Sequence, residues 1–159
     1  AFGMSEELTK RVSDSLHLEH IDVGGVGGTL AGNALSMAAV AATLTQVLTP
    51  EAFERMEALC DVWTADVQAI IDEYNGPWQV SQLGCRSEYS FRETAPRTGR
   101  EAADADDFEL QQFLHLHALN RGILMTPFHN MALMSPAHTT EDVKRHTEHF
   151  REAVVALFA

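Results

Sequence analysis

Residues 49–92 constrain the fold most, because a long helix there runs straight into two short extended stretches. Thr49 can cap, Pro50 suits the first helical position, and Glu51 complements the helix dipole. Phe53, Met56, Leu59, Cys60, Trp63, Val67, Ile70 and Ile71 then recur at three- and four-residue steps. Asn75-Gly76-Pro77 stops the helix near Tyr74. Trp78 to Leu83 alternates as a strand does, and Gly84 breaks it. Arg86 to Arg92 alternates again, with Tyr89 and Phe91 on one side. A helix beside an antiparallel strand pair calls for a layered α+β arrangement.

The rest of the chain agrees with that class. Ser5 before Glu6 and Glu7 opens a short helix to about Asp14, and Leu16 to Val23 reads as extended. Ala31 to Leu48 predicts a helix with a broad apolar face of Leu35, Ala38, Ala39, Ala42, Val47 and Leu48. Thr94 to Asp107 is rich in Pro, Gly and charge and reads as an exposed loop. Phe108 to Asn120 predicts a helix whose core face is Phe108, Leu110, Phe113, Leu114, Leu116 and Leu119. Two further strands, Ile123 to Met125 and Met131 to Met134, flank the turn Pro127-Phe128-His129-Asn130. Thr139-Thr140-Glu141-Asp142 has capping-box spacing and starts a last helix running to about Leu157. The expected fold is a small antiparallel sheet packed with helices.

A length of 159 residues fits one domain, or a small domain with part of another. With 45% hydrophobic residues the chain can build a core. The net charge of −12, with no basic run, argues against nucleic acid or an anionic membrane as partner. The longest apolar run is far too short to span a bilayer. The first twenty residues lack the pattern of a signal peptide, so the expected compartment is the cytoplasm. The two cysteines, Cys60 and Cys85, have no metal-like spacing; reduced thiols are the simplest account, with a disulfide open.

Gly24-Gly25-Val26-Gly27-Gly28-Thr29-Leu30-Ala31-Gly32-Asn33 leads into the Ala-rich helix. Glycines allow a close backbone approach, and a hydroxyl beside unpaired helix N–H groups suits a phosphate or carboxylate. A flexible turn with Thr29 or Asn33 as an ordinary cap fits the same residues. The loop is neither a dinucleotide fingerprint nor a P-loop. His17-Leu18-Glu19-His20 lacks the partners of a metal site, and His146 and His149 fall on the polar side of the last helix, where solvation is expected. The lysines, Lys10 and Lys144, sit on polar helix faces, so no lysine is poised for Schiff-base chemistry.

Gly27 to Ala39 resembles the segment G-G-T-F/L-S/A-G-N-P-L-A/S-M-A-A of class III pyridoxal-phosphate (PLP) aminotransferases, in particular their glutamate-1-semialdehyde aminomutase-like branch. Arg121-Gly122-Ile123-Leu124-Met125-Thr126-Pro127 resembles that family's R-G-V/I-Y/L-x-x-P turn. Leu133 to Val143 is similar to its L-S-x-A-H-T-x-E-D-I/V. Ala1-Phe2-Gly3 is similar to the G-A-x-G that follows the family's lysine motif. The resemblance runs in register over essentially the whole chain.

It implies the C-terminal portion of a fold-type I PLP transferase. Residues 1–49 would end the large cofactor-binding domain, and residues 50–159 would form the small C-terminal α+β domain. Gly28 and Thr29 would contact the PLP phosphate of a neighbouring subunit, making the enzyme a homodimer with a shared site. The Schiff-base lysine would lie upstream of Ala1, so this chain alone should be inactive. Where some members carry a carboxylate-binding arginine, this turn has Phe128, His129 and Asn130. Phe128 would then be an aromatic wall of the substrate pocket, or an ordinary core residue. Arg86 could clamp a substrate carboxylate, or pair with Glu88 at the surface. The implied activity is transfer of an amino group between an amino acid or amine and a keto acid or aldehyde. An aminomutase or racemase of the same family, or a non-catalytic domain keeping this fold, are the alternatives.

Overall fold

The computed structural model describes residues 3–15, 32–126 and 129–158. The chain separates into two compact units, Ala1–Gln46 and Val47–Ala159. The first contains α1 (Glu6–Ser15), begun by Ser5, whose hydroxyl accepts the Leu8 N–H at 3.3 Å. It also contains α2 (Ala34–Ala42), begun by Asn33, whose side-chain oxygen accepts the Ser36 N–H at 2.9 Å. Asn33 is therefore the cap of this helix. The α-helix stops short of Leu48: residues Thr43–Val47 form a wider π turn. Thr45 donates its hydroxyl to the Ala41 carbonyl at 2.7 Å, a competing bond of the kind that loosens a helix. None of the α2 residues is buried.

The second unit is built on α3 (Pro50–Glu73), capped by the Thr49 hydroxyl accepting from Ala52 N at 3.3 Å. Its end is a Schellman closure. Asn75 takes the left-handed conformation at φ 53°, Gly76 N–H reaches the Ile71 carbonyl at 2.9 Å, and Asn75 N–H reaches Asp72 at 3.1 Å. Strands β1 (Gln79–Leu83) and β2 (Arg86–Ser90) pair antiparallel around Gly84 and Cys85, with Val80 opposite Tyr89. Strand β3 (Met131–Leu133) joins the other edge of β2 antiparallel, Ser87 opposite Ala132, giving the order β1-β2-β3.

Two expectations fail here. Ile123–Met125 joins no ladder among the described residues, because the Ile123 N–H is spent on the Ala118 carbonyl at 3.0 Å, closing the preceding helix. The stretch expected to be wholly loop contains a short helix, α4 (Gly99–Asp104). Thr98 caps it, accepting from Glu101 N at 3.2 Å, and Glu101 accepts from Arg97 N at 2.7 Å. The T-x-x-E spacing that announces it is present in the sequence.

Helix α5 (Phe108–Leu119) starts at Asp107, which accepts from Leu110 N at 3.0 Å. Its expected core face is corrected: Leu114 and Ala118 are buried, while Phe108, Phe113, Leu116 and Leu119 are exposed. The helix packs on α6 (Thr140–Phe158), a narrow contact that one stripe four residues apart can fill. Helix α6 begins with a reciprocal cap, Thr139 N–H donating to Asp142 at 2.8 Å and Asp142 N–H to the Thr139 hydroxyl at 3.3 Å. Helices α3 and α6 pack together and α3 lies along the hairpin. Trp63, Val67, Ile71, Trp78, Tyr89, Phe150 and Val154 form the centre of the core. Burying such side chains contributes about 1.5–3 kcal/mol each before entropy is counted.

Candidate functional site

Three of the four residues expected to contact cofactor or substrate, Gly28, Thr29 and Phe128, lie outside the described residues, as does the His17–His20 cluster. The described start of α2 bears on the phosphate reading. Asn33 occupies the Ser36 N–H, so that donor is not offered to an anion ahead of this helix. Arg86 opens β2 and donates to Glu88 at 2.9 Å, its side chain half exposed. Lys10 and Lys144 are both exposed. Cys60 and Cys85 are free thiols, and burial pushes the Cys60 thiol up to about 11, which makes it a poor nucleophile.

A cleft of about 270 Å³ lies between the 122–126 segment, β3 and the first turns of α6. Local structure builds each wall. The Arg121–Ile123 closure of α5, with Gly122 at φ +75°, turns the chain so that residues 123–126 line one side. The Thr139–Asp142 cap aims α6 so that His146 lines the same cleft as Trp63 of α3. The Trp63 indole N–H donates to His146 Nδ1 at 2.9 Å. Burial pushes the His146 imidazole down to about 4, so it is neutral near pH 7 and carries its proton on Nε2. The expectation that His146 is solvated is thus overturned. Val143, His146 and Phe150 recur at steps of three and four, and that apolar stripe was the signal for its burial.

Two turns further along α6 from Arg145, Glu152 accepts from Arg121 Nε at 2.7 Å and lies 3.2 Å from His149 Nδ1 and 3.7 Å from His117 Nε2. Arg121 and His149 hold the Glu152 carboxyl below its ordinary value. Among the described residues no group of His, Cys, Asp and Glu is arranged to hold a metal ion, and no helix is long and apolar enough to cross a membrane.

Helices packed on a small three-stranded antiparallel sheet give this chain the fold of the C-terminal part of fold-type I PLP transferases. The chain is a homologue of the glutamate-1-semialdehyde 2,1-aminomutases and class III PLP aminotransferases. It is 30% identical over 153 residues to glutamate-1-semialdehyde 2,1-aminomutase 1 of Staphylococcus carnosus, covering 94% of this chain and 33% of that protein. A glutamate-1-semialdehyde aminomutase of Pseudomonas aeruginosa PAO1, a lysine-to-alanine variant crystallised with PMP, matches with a TM-score of 0.86. It is 42% identical over 99% of this chain and 35% of its own. The β-phenylalanine aminotransferase of Variovorax paradoxus matches with a TM-score of 0.71 and 26% identity, over 97% of this chain and 34% of its own. The chain thus spans about a third of the length of the relatives it matches. No family profile matches it.

Proposed function

We propose that this chain is the C-terminal third of a PLP-dependent enzyme that transfers an amino group, or shifts it within one molecule. The observation that carries this reading is the match over 99% of the chain to an aminomutase crystallised with PMP, supported by the Gly27-Gly28-Thr29 loop. When bound, PLP supplies the electron sink that stabilises the carbanion left by loss of an α-proton.

In this reading Gly28 lets the backbone approach the phosphate and Thr29 donates its hydroxyl to it. Such a donor set suits a dianion, because hydrogen bonds to charged acceptors are the stronger kind. A homodimer in the cytoplasm would bring the loop to the neighbouring subunit's cofactor. Phe128 would wall the substrate pocket. Arg86 would exchange Glu88 for a substrate carboxylate, an exchange that an exposed ion pair opposes only weakly. The amine that fixes the cofactor aldehyde would come from a lysine upstream of Ala1, since both lysines here are exposed on amphipathic helices. On its own this chain would then be inactive.

Borohydride reduction of the intact protein with PLP tests the proposal directly. The expected outcome is covalent PLP on a single lysine, and amino-group exchange in the unreduced enzyme. A protein that retains no PLP under these conditions overturns the reading.

A further inference from the structure

The cleft beside β3 holds a polar feature that core packing does not explain. His146 is 7% exposed, its Nδ1 is taken by Trp63, and its Nε2–H has no partner among the described residues. The residue lines the cleft, so a molecule bound there can accept from that nitrogen. Arg145 stands on the wall of the same cleft, its Nη2 donating to the Arg121 carbonyl at 2.7 Å and its charge acting on the Asp142 carboxylate. Asp142, also on that wall, is committed to the start of α6, with one oxygen accepting both the N–H and the hydroxyl of Thr139 at 2.8 Å. Ile123, Met125, Met131 and Met134 make much of the remaining surface apolar.

We propose that this cleft is a binding site for a small monocarboxylate with a short apolar body, its carboxylate accepting from His146 Nε2 and Arg145 and its body lying on Met125 and Met131. A guanidinium and a neutral imidazole N–H offer one full positive charge, which suits a monoanion. The Asp142 carboxylate nearby already offsets part of that charge, so a ligand with one negative charge is favoured over one with two. A volume of about 270 Å³ is below the ~300–1,000 Å³ of drug-sized pockets, so the ligand is small. The site goes beyond the amino-transfer reading, and its test does not depend on activity.

Isothermal titration of the full-length protein with isovalerate measures it, with isovaleramide as the uncharged analogue of the same shape. Saturable one-site binding of isovalerate is expected, with the amide at least about tenfold weaker. Arg145→Gln, at an exposed position, should weaken isovalerate by about tenfold or more, with the fold checked by circular dichroism. His146→Gln keeps an acceptor for Trp63 and should weaken it as well; if that variant misfolds, Arg145→Gln alone decides. Absence of binding at millimolar isovalerate, equal binding of the amide, or unchanged affinity in Arg145→Gln would overturn the proposal.

Discussion

Trp63 on α3 and His146 on α6 are joined by one hydrogen bond of 2.9 Å, indole N–H to imidazole Nδ1, with ring centroids 5.3 Å apart. The bond ties the two longest helices of the second unit at a point where both side chains are buried. It also decides which nitrogen of His146 carries the proton, because Nδ1 must accept.

Stability should fall on mild acidification for the same reason. The folded imidazole titrates at about 4, well below the ~6.5 of an unfolded histidine. The unfolded chain therefore binds a proton the folded chain refuses, and stability is lost as pH drops below about 6.5 until the folded group itself titrates. From pH 7 to pH 5 the loss from this residue should be about 2 kcal/mol. His117, lowered mainly by burial, acts in the same direction. Urea unfolding at both pH values checks this. In His146→Gln the slope should flatten; an unchanged slope would mean that His146 is not the group responsible.

A side chain at Gly122 should destabilise the fold. It sits at φ +75°, and a Cβ there would come within 2.9 Å of Arg145 Nη2, which holds the Arg121 carbonyl. The arginine tip can move, so most of the cost is backbone strain, about 1–2 kcal/mol for Gly122→Ala. A melting temperature equal to that of the parent would contradict it.

Arg86→Gln separates the two readings of that residue. The ion pair with Glu88 is exposed, so loss of the guanidinium should change stability by less than about 1 kcal/mol. If Arg86 meets a substrate carboxylate as proposed, KM for carboxylate substrates should rise about tenfold while kcat changes little. Unchanged KM would leave Arg86 with its surface pair alone.

Thr29→Ala should weaken cofactor retention in the intact enzyme by about tenfold or more, the loss of one hydrogen bond to a charged acceptor. Dialysis followed by PLP titration reads this. Equal retention in the variant would remove Thr29 from the phosphate site.

Much of the architecture was legible because it rests on local rules. Thr49-Pro50, Asn75-Gly76 and the Thr139–Asp142 cap act within a few residues of themselves, so reading them needs no knowledge of the fold. The hairpin around Gly84 follows from alternation and a single turn. Errors began where one element's fate depended on another. Ile123 reads as a strand residue, yet its N–H closes α5. Phe113 and Leu116 read as core, yet α5 meets only a narrow partner surface and leaves them exposed.

The candidate sites divide the same way. Residue types and order by themselves marked the Gly28–Thr29 loop as a candidate anion site and showed the family it resembles, because those residues lie in one short stretch. The cleft beside β3 is different in kind. Trp63 and His146 stand 83 positions apart in the chain, and no local pattern pairs them. Only packing of α6 against α3 desolvates the imidazole, selects its tautomer and turns a residue that reads as a solvated histidine into a buried donor on the wall of a cavity.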